Sequence, residues 1–390
     1  MQENNPIHIQ PADRLSNVSE YYFSRKGKEV AALNAQGCNI ISLAIGSPDL
    51  PPSAETIETL CREAQKPSAH GYQPTAGIPE LRKAMAAFYQ RWFGVTLNPQ
   101  TEIQPLIGSK EGILHTTLAF VNPGDQVLVP NPGYPTYTSL SKLLGCEVVN
   151  YNLRAENHWQ PDFEELENMD LSRVKLMWVN YPNMPTGAPA LMETYEKLVD
   201  LARRHHFIVV NDNPYSFILN KARLSILQIP GAMDCCIEFN SMSKSHNMPG
   251  WRVGMLAANA QFISWILRVK SNIDSGTFRP LQLAAAQAYD NSDAWHEAAN
   301  IEVYARRRQL ALGCTFDEGQ VGMFLWGRIP ESCHDAEDIT EKALHEAHVF
   351  LTPGFIFGSN GQRYVRISLC ADEAKLTEAL QRIQSVFCPA

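Results

Sequence analysis

The chain has 390 residues, 45% of them hydrophobic, and a formal net charge of −8 at pH 7. This length and apolar content support a sizeable core, either in two domains or in one large α/β domain with an appendage. The acidic balance, with the short Arg306-Arg307-Arg308 set inside a helical pattern, argues against nucleic acid or an anionic membrane as the main partner.

No window approaches the ~18 apolar residues of a membrane span, and Met1 to Gln10 lacks the basic-then-apolar order of a signal peptide. Nine scattered cysteines, none in a CxxC pair, are expected to be reduced thiols in a cytoplasmic protein, with Cys235 and Cys236 in a core strand. No metal is expected.

Residues 1–16 read as an extended arm. Asn17 to Gln36 reads as a helix stopped by Gly37, with Asn17 and Glu20 at capping-box spacing. Ile40 to Ile45 is a predicted strand broken by Gly46-Ser47-Pro48-Asp49, and Ala54 to Gln65 a predicted helix. His70 to Gly77 has no apolar period and reads as a loop, after which Pro79 opens a helix to Phe93. Ile103 to Ile107 is a strand, and Gly108-Ser109-Lys110-Glu111-Gly112 turns directly into a helix over Ile113 to Phe120. Strand, glycine and helix N-terminus together make an anion cradle of backbone N–H groups, although many α/β turns share this pattern.

The alternation then continues. Gln126 to Val129 is a strand, followed by the rigid Pro130-Asn131-Pro132-Gly133-Tyr134-Pro135 and a helix over Tyr137 to Leu144. Glu147 to Leu153, Val174 to Asn180 and Phe207 to Val210 are strands, separated by helices over Phe163 to Asn168 and Leu191 to His206. Strands alternating with helices imply right-handed crossovers and a largely parallel sheet, with sites beyond the strand carboxyl ends. The Gly108 turn, Tyr134, Asn183, Asp212 and Lys244 all fall just after predicted strands.

Cys235 to Phe239 is an apolar strand that runs into Asn240-Ser241-Met242-Ser243-Lys244-Ser245, with Arg252 eight positions after the lysine. A lysine among small hydroxyls loses its proton when it is buried near other cations, and can then attack a carbonyl. Hydroxyls and an arginine suit a phosphate. Lysine plus phosphate site suggests covalent attachment of pyridoxal 5'-phosphate, although a solvated turn fits this segment alone equally well. Asp212, in Val210-Asn211-Asp212-Asn213-Pro214-Tyr215, could pair with a protonated pyridine nitrogen or merely cap a turn.

Past Arg252 helices dominate, over Gln261 to Lys270, Leu281 to Tyr289 and Ala294 to Leu312. They are followed by strand Met323 to Ile329, helix Ile339 to Ala347, strands Val349 to Leu351 and Tyr364 to Leu369, and helix Lys375 to Phe387. This reads as a smaller α+β domain. The expected division is 1–45 (arm, helix and strand joining the small domain), 46–280 (large domain) and 281–390 (small domain).

Ser241-Met242-Ser243-Lys244 followed by Gly250-Trp251-Arg252-Val253-Gly254, with Asp212-Asn213-Pro214-Tyr215 upstream, resembles the class I/II aminotransferases of fold type I. Asn183-Met184-Pro185-Thr186-Gly187 and Tyr364-Val365-Arg366-Ile367-Ser368 match further motifs of that family, in order, over nearly the whole chain. Ile107 to Gly112, Asn131 to Pro135 and Thr352-Pro353-Gly354 are most similar to the branch with LL-diaminopimelate and glutamate–pyruvate aminotransferases. The resemblance implies a mostly parallel seven-stranded sheet between helices plus the smaller domain, pyridoxal 5'-phosphate as cofactor, and a homodimer with shared sites.

By the same resemblance Lys244 would carry the cofactor and move the proton, Asp212 would face the ring nitrogen, Tyr134 would stack on the ring and Tyr215 would bond its oxygen. Ser109, Lys110, Ser241, Ser243 and Arg252 would surround the phosphate, the first two through backbone N–H groups, with Tyr72 reaching across from the other subunit. Arg366 would hold the substrate α-carboxylate beside Gly46. One position departs from the pattern: Met184 stands where the family usually has an asparagine that bonds the ring oxygen, and Asn183 is the candidate replacement. Tyr21, Tyr22, Phe23, Lys270, Asn272, Arg279 and Phe324 are candidates for recognising the substrate side chain, with Lys270 and Arg279 either binding a distal carboxylate or lying on the surface. The implied activity is exchange of an amino group between an L-amino acid and a 2-oxo acid, 2-oxoglutarate or pyruvate on one side. A C–S β-lyase on the same fold, or a non-catalytic cofactor-binding member, would share the same residues.

Overall fold

The computed structural model describes residues 7, 9–291, 295, 302–311, 316 and 318–387. β1 (Ile41–Ser42) comes first and stands apart from the main sheet. The apolar runs that follow become β2 (Ile103–Leu106), β3 (Gln126–Asn131), β4 (Glu147–Asn152), β5 (Val174–Val179), β6 (Ile208–Asp212), β7 (Cys236–Ser241) and β8 (Gly254–Ala257). They form one seven-stranded sheet in the order β2-β8-β7-β6-β5-β3-β4. Every pairing from β4 to β7 is parallel, whereas β8 runs antiparallel to both β2 and β7.

The apolar runs are nearly continuous because both faces of the sheet are covered. Leu176, Trp178, Val210, Ile237 and Phe239 pack with Ile113, Ile263 and Ile266 on one face. The alternate residues Met177, Val179 and Val209 join Met85, Phe88 and Tyr289 on the other. One buried carboxylate sits within this apolar sandwich. Glu238 is fully buried and accepts from Tyr89 Oη (3.0 Å), Ser225 Oγ (2.6 Å), Asn211 Nδ2 (2.8 Å) and Ile226 N (3.0 Å). Those donors offset a desolvation that would otherwise cost several kcal/mol.

β9 (Phe324–Arg328), β10 (Val349–Phe350), β11 (Thr352–Pro353) and β12 (Tyr364–Ser368) belong to two smaller sheets. The first is three-stranded and antiparallel, in the order β11-β12-β9, and the second pairs β1 with β10 in parallel. Leu43 ties the two together, since its N–H donates to Phe350 O (2.9 Å) and its carbonyl accepts from Ser368 N (2.7 Å).

Several local expectations change. The predicted helix Asn17 to Gln36 is a 3-10 turn over Asp13–Asn17, inside the supposed extended arm, followed by an α-helix over Tyr22–Ala35. Its cap is Tyr21, with no side-chain bond, and Glu20 is drawn away to Lys28 Nζ (2.6 Å) and Ser24 Oγ (3.2 Å), so the capping box does not form. The strand over Ile40 to Ile45 shrinks to β1, as Leu43 turns to bond two strands at once. β8 falls where no element is predicted, because Gly254 weakens a strand signal and the run is only four residues long. Of the predicted helix Ala294 to Leu312, Glu302–Ala311 is helical and residues 294, 296–301 and 312 lie outside the described residues. Among the described residues no helix is long and apolar enough to cross a membrane.

Candidate active site

β2, β3, β5, β6 and β7 all point the same way, so the segments after them meet at one edge of the sheet. A cavity of ≈ 350 Å³ opens there, lined by Ser109, Lys110, Tyr134, Tyr137, Asn180, Asp212, Tyr215, Ser241, Ser243 and Lys244, with Arg252 and Arg366. Tyr21, Phe23, Ile45 and Gly46 close it from the N-terminal side.

Lys244 lies in the short helix Met242–Ser245, which Ser241 caps by accepting from Ser243 N at 3.2 Å. Its ammonium donates to Gly46 O. Burial pushes the amine down to about 8; Arg366 and Arg252 push the same way, against Cys370 and Asp212. Asp212 ends β6, and its Oδ2 accepts from Tyr137 Oη at 2.8 Å, while its Oδ1 is buried with no partner among the described residues. Burial raises this carboxyl to about 6, against the pull of Tyr137 and Lys244. Tyr137 is itself fixed by stacking on Trp178 (4.9 Å between centroids, 4° between planes), and Tyr134 meets it edge-on at 5.5 Å.

An anion cradle is built at the Gly108 turn. Gly108 has φ 76°, and a Cβ there would lie 2.1 Å from Arg252 Nη2, so only glycine lets the guanidinium approach. Gly254 is also crowded, since its Cβ would sit 3.0 Å from Ser109 N. Arg252 donates to Ser243 Oγ (3.4 Å), Pro249 O (3.0 Å) and Ile107 O (3.5 Å). Ser109 opens the helix Ser109–Phe120, whose free N–H groups point toward the same spot.

Arg366, on β12, is buried without a carboxylate. Its Nη2 donates to Ala44 O (2.6 Å) and its Nη1 to Met184 Sδ (3.2 Å), while Nε has no partner among the described residues. The guanidinium carbon lies 4.0 Å from the Phe324 ring centroid, 4.8 Å from Phe357 and 5.6 Å from Phe23. Burial lowers its pKa to about 10. Phe324 also fills the space beside Gly46, where a Cβ would come within 2.1 Å of its ring.

Six predicted residues are not brought to this cavity. The amide of Asn183 is used within its own turn, donating to Asn180 O (3.2 Å) and accepting from Thr186 N (3.3 Å) and Thr186 Oγ1 (2.7 Å). Asn180 lines the cavity in its stead, donating to Asp212 O and accepting from Met184 N (2.8 Å). Tyr22 faces a neighbouring cavity of ≈ 640 Å³ with Arg25 and Lys142. Tyr72 is 96% exposed on its loop. Lys270 and Arg279 are also elsewhere, paired with Glu111 (2.7 Å) and Glu80 (2.7 Å), and Asn272 donates to Arg268 O (2.8 Å). Tyr137 could have been found from the spacing Tyr134-x-x-Tyr137, which places both rings over one turn. Ile45 and Phe357 carried no such signal.

The family model for aminotransferase class I and II matches residues 39–383. The LL-diaminopimelate aminotransferase of Dehalococcoides mccartyi is 41% identical over 378 residues, covering 95% of this chain and 97% of that protein. Among solved structures, apo-BacF from Bacillus subtilis superposes with a TM-score of 0.93 at 35% identity (98% of this chain, 99% of that one). Aspartate aminotransferase from Thermus thermophilus with maleate gives 0.90 at 28% identity (97% and 100%). The chain therefore belongs to the class I/II aminotransferases and is a pyridoxal 5'-phosphate-dependent enzyme that moves an amino group between an amino acid and a 2-oxo acid.

An amine attacks an aldehyde only when neutral, and the neutral fraction of Lys244 grows as pH rises through about 8. If this amine is the point of attachment, covalent capture of added cofactor, followed by absorbance, is expected to accelerate up to pH 8 and to level off above it. A profile still climbing past pH 10 would show the amine to be solvated.

Proposed function

We propose that Lys244, Asp212, Tyr215, Tyr134 and the Gly108 cradle hold the cofactor, and that Arg366 holds the substrate. The observation that carries this is the pairing of an unpartnered, buried Asp212 Oδ1 with a desolvated Lys244 amine in one cavity. An acceptor oxygen of that kind suits a protonated ring nitrogen, the amine suits an aldehyde, and Ser109, Lys110, Ser241, Ser243 and Arg252 suit a phosphate. When bound, pyridoxal 5'-phosphate supplies an electron sink for the pair released at the substrate Cα.

The chain's own residues do the rest. Lys244 Nζ, neutral near its lowered pKa, takes the Cα proton of the amino donor, and in the return half-reaction gives one to the Cα of the new amino acid. A general base so placed contributes ~10²–10⁴ in rate. Asp212 Oδ1 keeps a proton on the ring nitrogen, with Tyr137 fixing the carboxylate's other oxygen. Tyr215 Oη donates to the ring oxygen. Arg366 binds the α-carboxylate through its fork, and Gly46 leaves room beside it.

Two copies of the chain are proposed to share their sites, with Tyr72 of each reaching the other's phosphate. Tyr72, Ile273 and Phe278 are all exposed, and Gln73 pairs with Gly276 to hold their loops together. The cytoplasm is the compartment assigned, since the seven described cysteines are free thiols.

For the side chain of the donor, Lys270 and Arg279 are replaced as candidates by the rim of the cavity, where Lys110 Nζ lies 4.7 Å from the Tyr21 ring centroid and Ile45 is half exposed. One ammonium on an apolar rim favours a side chain ending in a carboxylate, as in the glutamate/2-oxoglutarate pair. In a panel of amino donors, glutamate is expected to exceed lysine, and Lys110→Ala to cut kcat/KM for glutamate about tenfold more than for phenylalanine, a ~1.4 kcal/mol difference. An equal loss for both would remove Lys110 from substrate recognition.

Arg366→Leu is expected to raise KM for amino and oxo acids alike and to lower kcat/KM about a hundredfold or more, because the buried charge-assisted fork is lost. An unchanged KM would place the α-carboxylate elsewhere. Met184 has no N–H to offer the ring oxygen, and Asn183 is engaged elsewhere. Giving that oxygen a donor by Met184→Asn should lower the pH midpoint of the cofactor's absorbance titration. A midpoint that does not move would show that Asn180 or another group already fills the role.

A further inference from the structure

A carboxylate in the first turn of a helix that cradles an anion is repelled by that anion. Glu111 is such a residue, two positions after Ser109, where the helix begins. Its side chain turns back from the cavity and accepts from Ile107 N at 3.1 Å, closing the strand end that precedes Gly108. The same residue's carbonyl, Ile107 O, accepts from Arg252 Nη2 at 3.5 Å. Ile107 is thus gripped on both sides, and the turn it introduces is the one that has no room for a Cβ at Gly108.

Glu111 is in turn held by a buried ion cluster. Lys270 Nζ donates to Glu111 Oε1 (2.7 Å) and to both oxygens of Asp274 (2.9 and 2.8 Å), and its side chain is 3% exposed. His115 Nε2 lies 3.2 Å from Glu111 Oε2 and 3.4 Å from Asp274 Oδ2. The Lys270 ammonium already occupies the space between the carboxylates, so the cluster needs no metal ion. Hydrogen bonds from His115 and Lys270 outweigh the burial that opposes ionisation, and keep the Glu111 carboxyl well below the usual range. The cluster joins two stretches distant in sequence: the helix Ser109–Phe120, and the end of the helix Ala260–Lys270 with the loop that continues from it and pairs through Gly276 with Gln73.

We propose that Glu111, fixed by Lys270, is a positioning residue for the phosphate cradle: it sets the Ile107–Gly108 turn so that Arg252 and the Ser109 N–H converge on one anion. This rests on the reading of that turn as the cofactor's phosphate site. The test compares reconstitution with pyridoxal 5'-phosphate and with pyridoxal, which lacks the phosphate, in wild type, Glu111→Ala, Glu111→Gln and Arg252→Gln. Glu111→Ala is expected to weaken binding of pyridoxal 5'-phosphate by roughly tenfold and to spare pyridoxal, and Glu111→Gln, which keeps an acceptor for Ile107, to recover most of the loss. Equal losses for both ligands, or none, would overturn the proposal. Arg252→Gln reports on the underlying reading by itself: if it fails to discriminate between the two ligands, the phosphate lies elsewhere and the proposal falls with that reading. Should Glu111→Ala not fold, Lys270→Met is measured in its place with the same expectation, and a failure of both to fold would make the cluster a folding element and overturn the positioning role.

Discussion

Keeping the amine of Lys244 out of water is the constraint on which the rest of the site depends. Burial favours whichever form of an ionisable group is neutral. The enclosure that brings Lys244 to about 8 therefore also lifts Asp212 to about 6 and brings Arg366 down to about 10. All of these groups are pushed toward neutrality by one cavity wall. An uncompensated buried charge costs several kcal/mol, and Asp212 Oδ1 and Arg366 Nε remain without partners among the described residues. A ligand that brings a proton donor to the first and a carboxylate to the second recovers part of that cost, so the folded chain carries the imprint of a charged, planar cofactor and an α-carboxylate.

The sheet makes this convergence possible through direction rather than proximity. Lys244 follows β7 and the Gly108 turn follows β2, yet β8 lies between those strands. Because β8 is antiparallel to both, the two reversals cancel, and β2 ends at the same edge as β7. The cradle and the lysine then face each other across Gly254, at the start of β8, where even a Cβ would crowd Ser109 N. Arg252, just upstream in the left-handed region at φ 54°, is turned toward the Gly108 turn by the same short segment.

The fold class and the strand-end residues were legible because period and punctuation act locally. An apolar run followed by a polar turn identifies Asp212 and Lys244 without knowledge of what they face. Partnership at long range is not legible in this way. Lys270 and Arg279 read as partners for a distal carboxylate or as surface charge, but Lys270 is held by Glu111, 159 positions away, together with Asp274, and Arg279 by Glu80, 199 positions away. Asn183 and Asn180 are three residues apart, and only the turn between them decides which faces the cavity. Tyr22 and Tyr21 differ by one position, yet at the start of the helix Tyr21 lines both cavities and Tyr22 only the neighbouring one. The missed β8 has the same origin: its four residues are strand because both neighbours are already there, and no local propensity announces it.

Arg366 shows how a buried cation can be stabilised and still be left available. A carboxylate from the chain would satisfy it, but would also occupy the fork proposed for the substrate. Phenyl rings do not compete in that way, since each offers attraction through its face, on the order of 0.5–2 kcal/mol, without accepting the in-plane N–H bonds. Phe324, Phe357 and Phe23 surround the guanidinium on these terms. Ala44 O anchors one end of the fork, and the acceptor at the other end is the thioether of Met184, among the weakest a protein has. A carboxylate arriving at that end exchanges a weak contact for a charge-assisted one. Met184, the residue that departs from the family pattern, therefore also keeps the arginine proposed for the substrate lightly held.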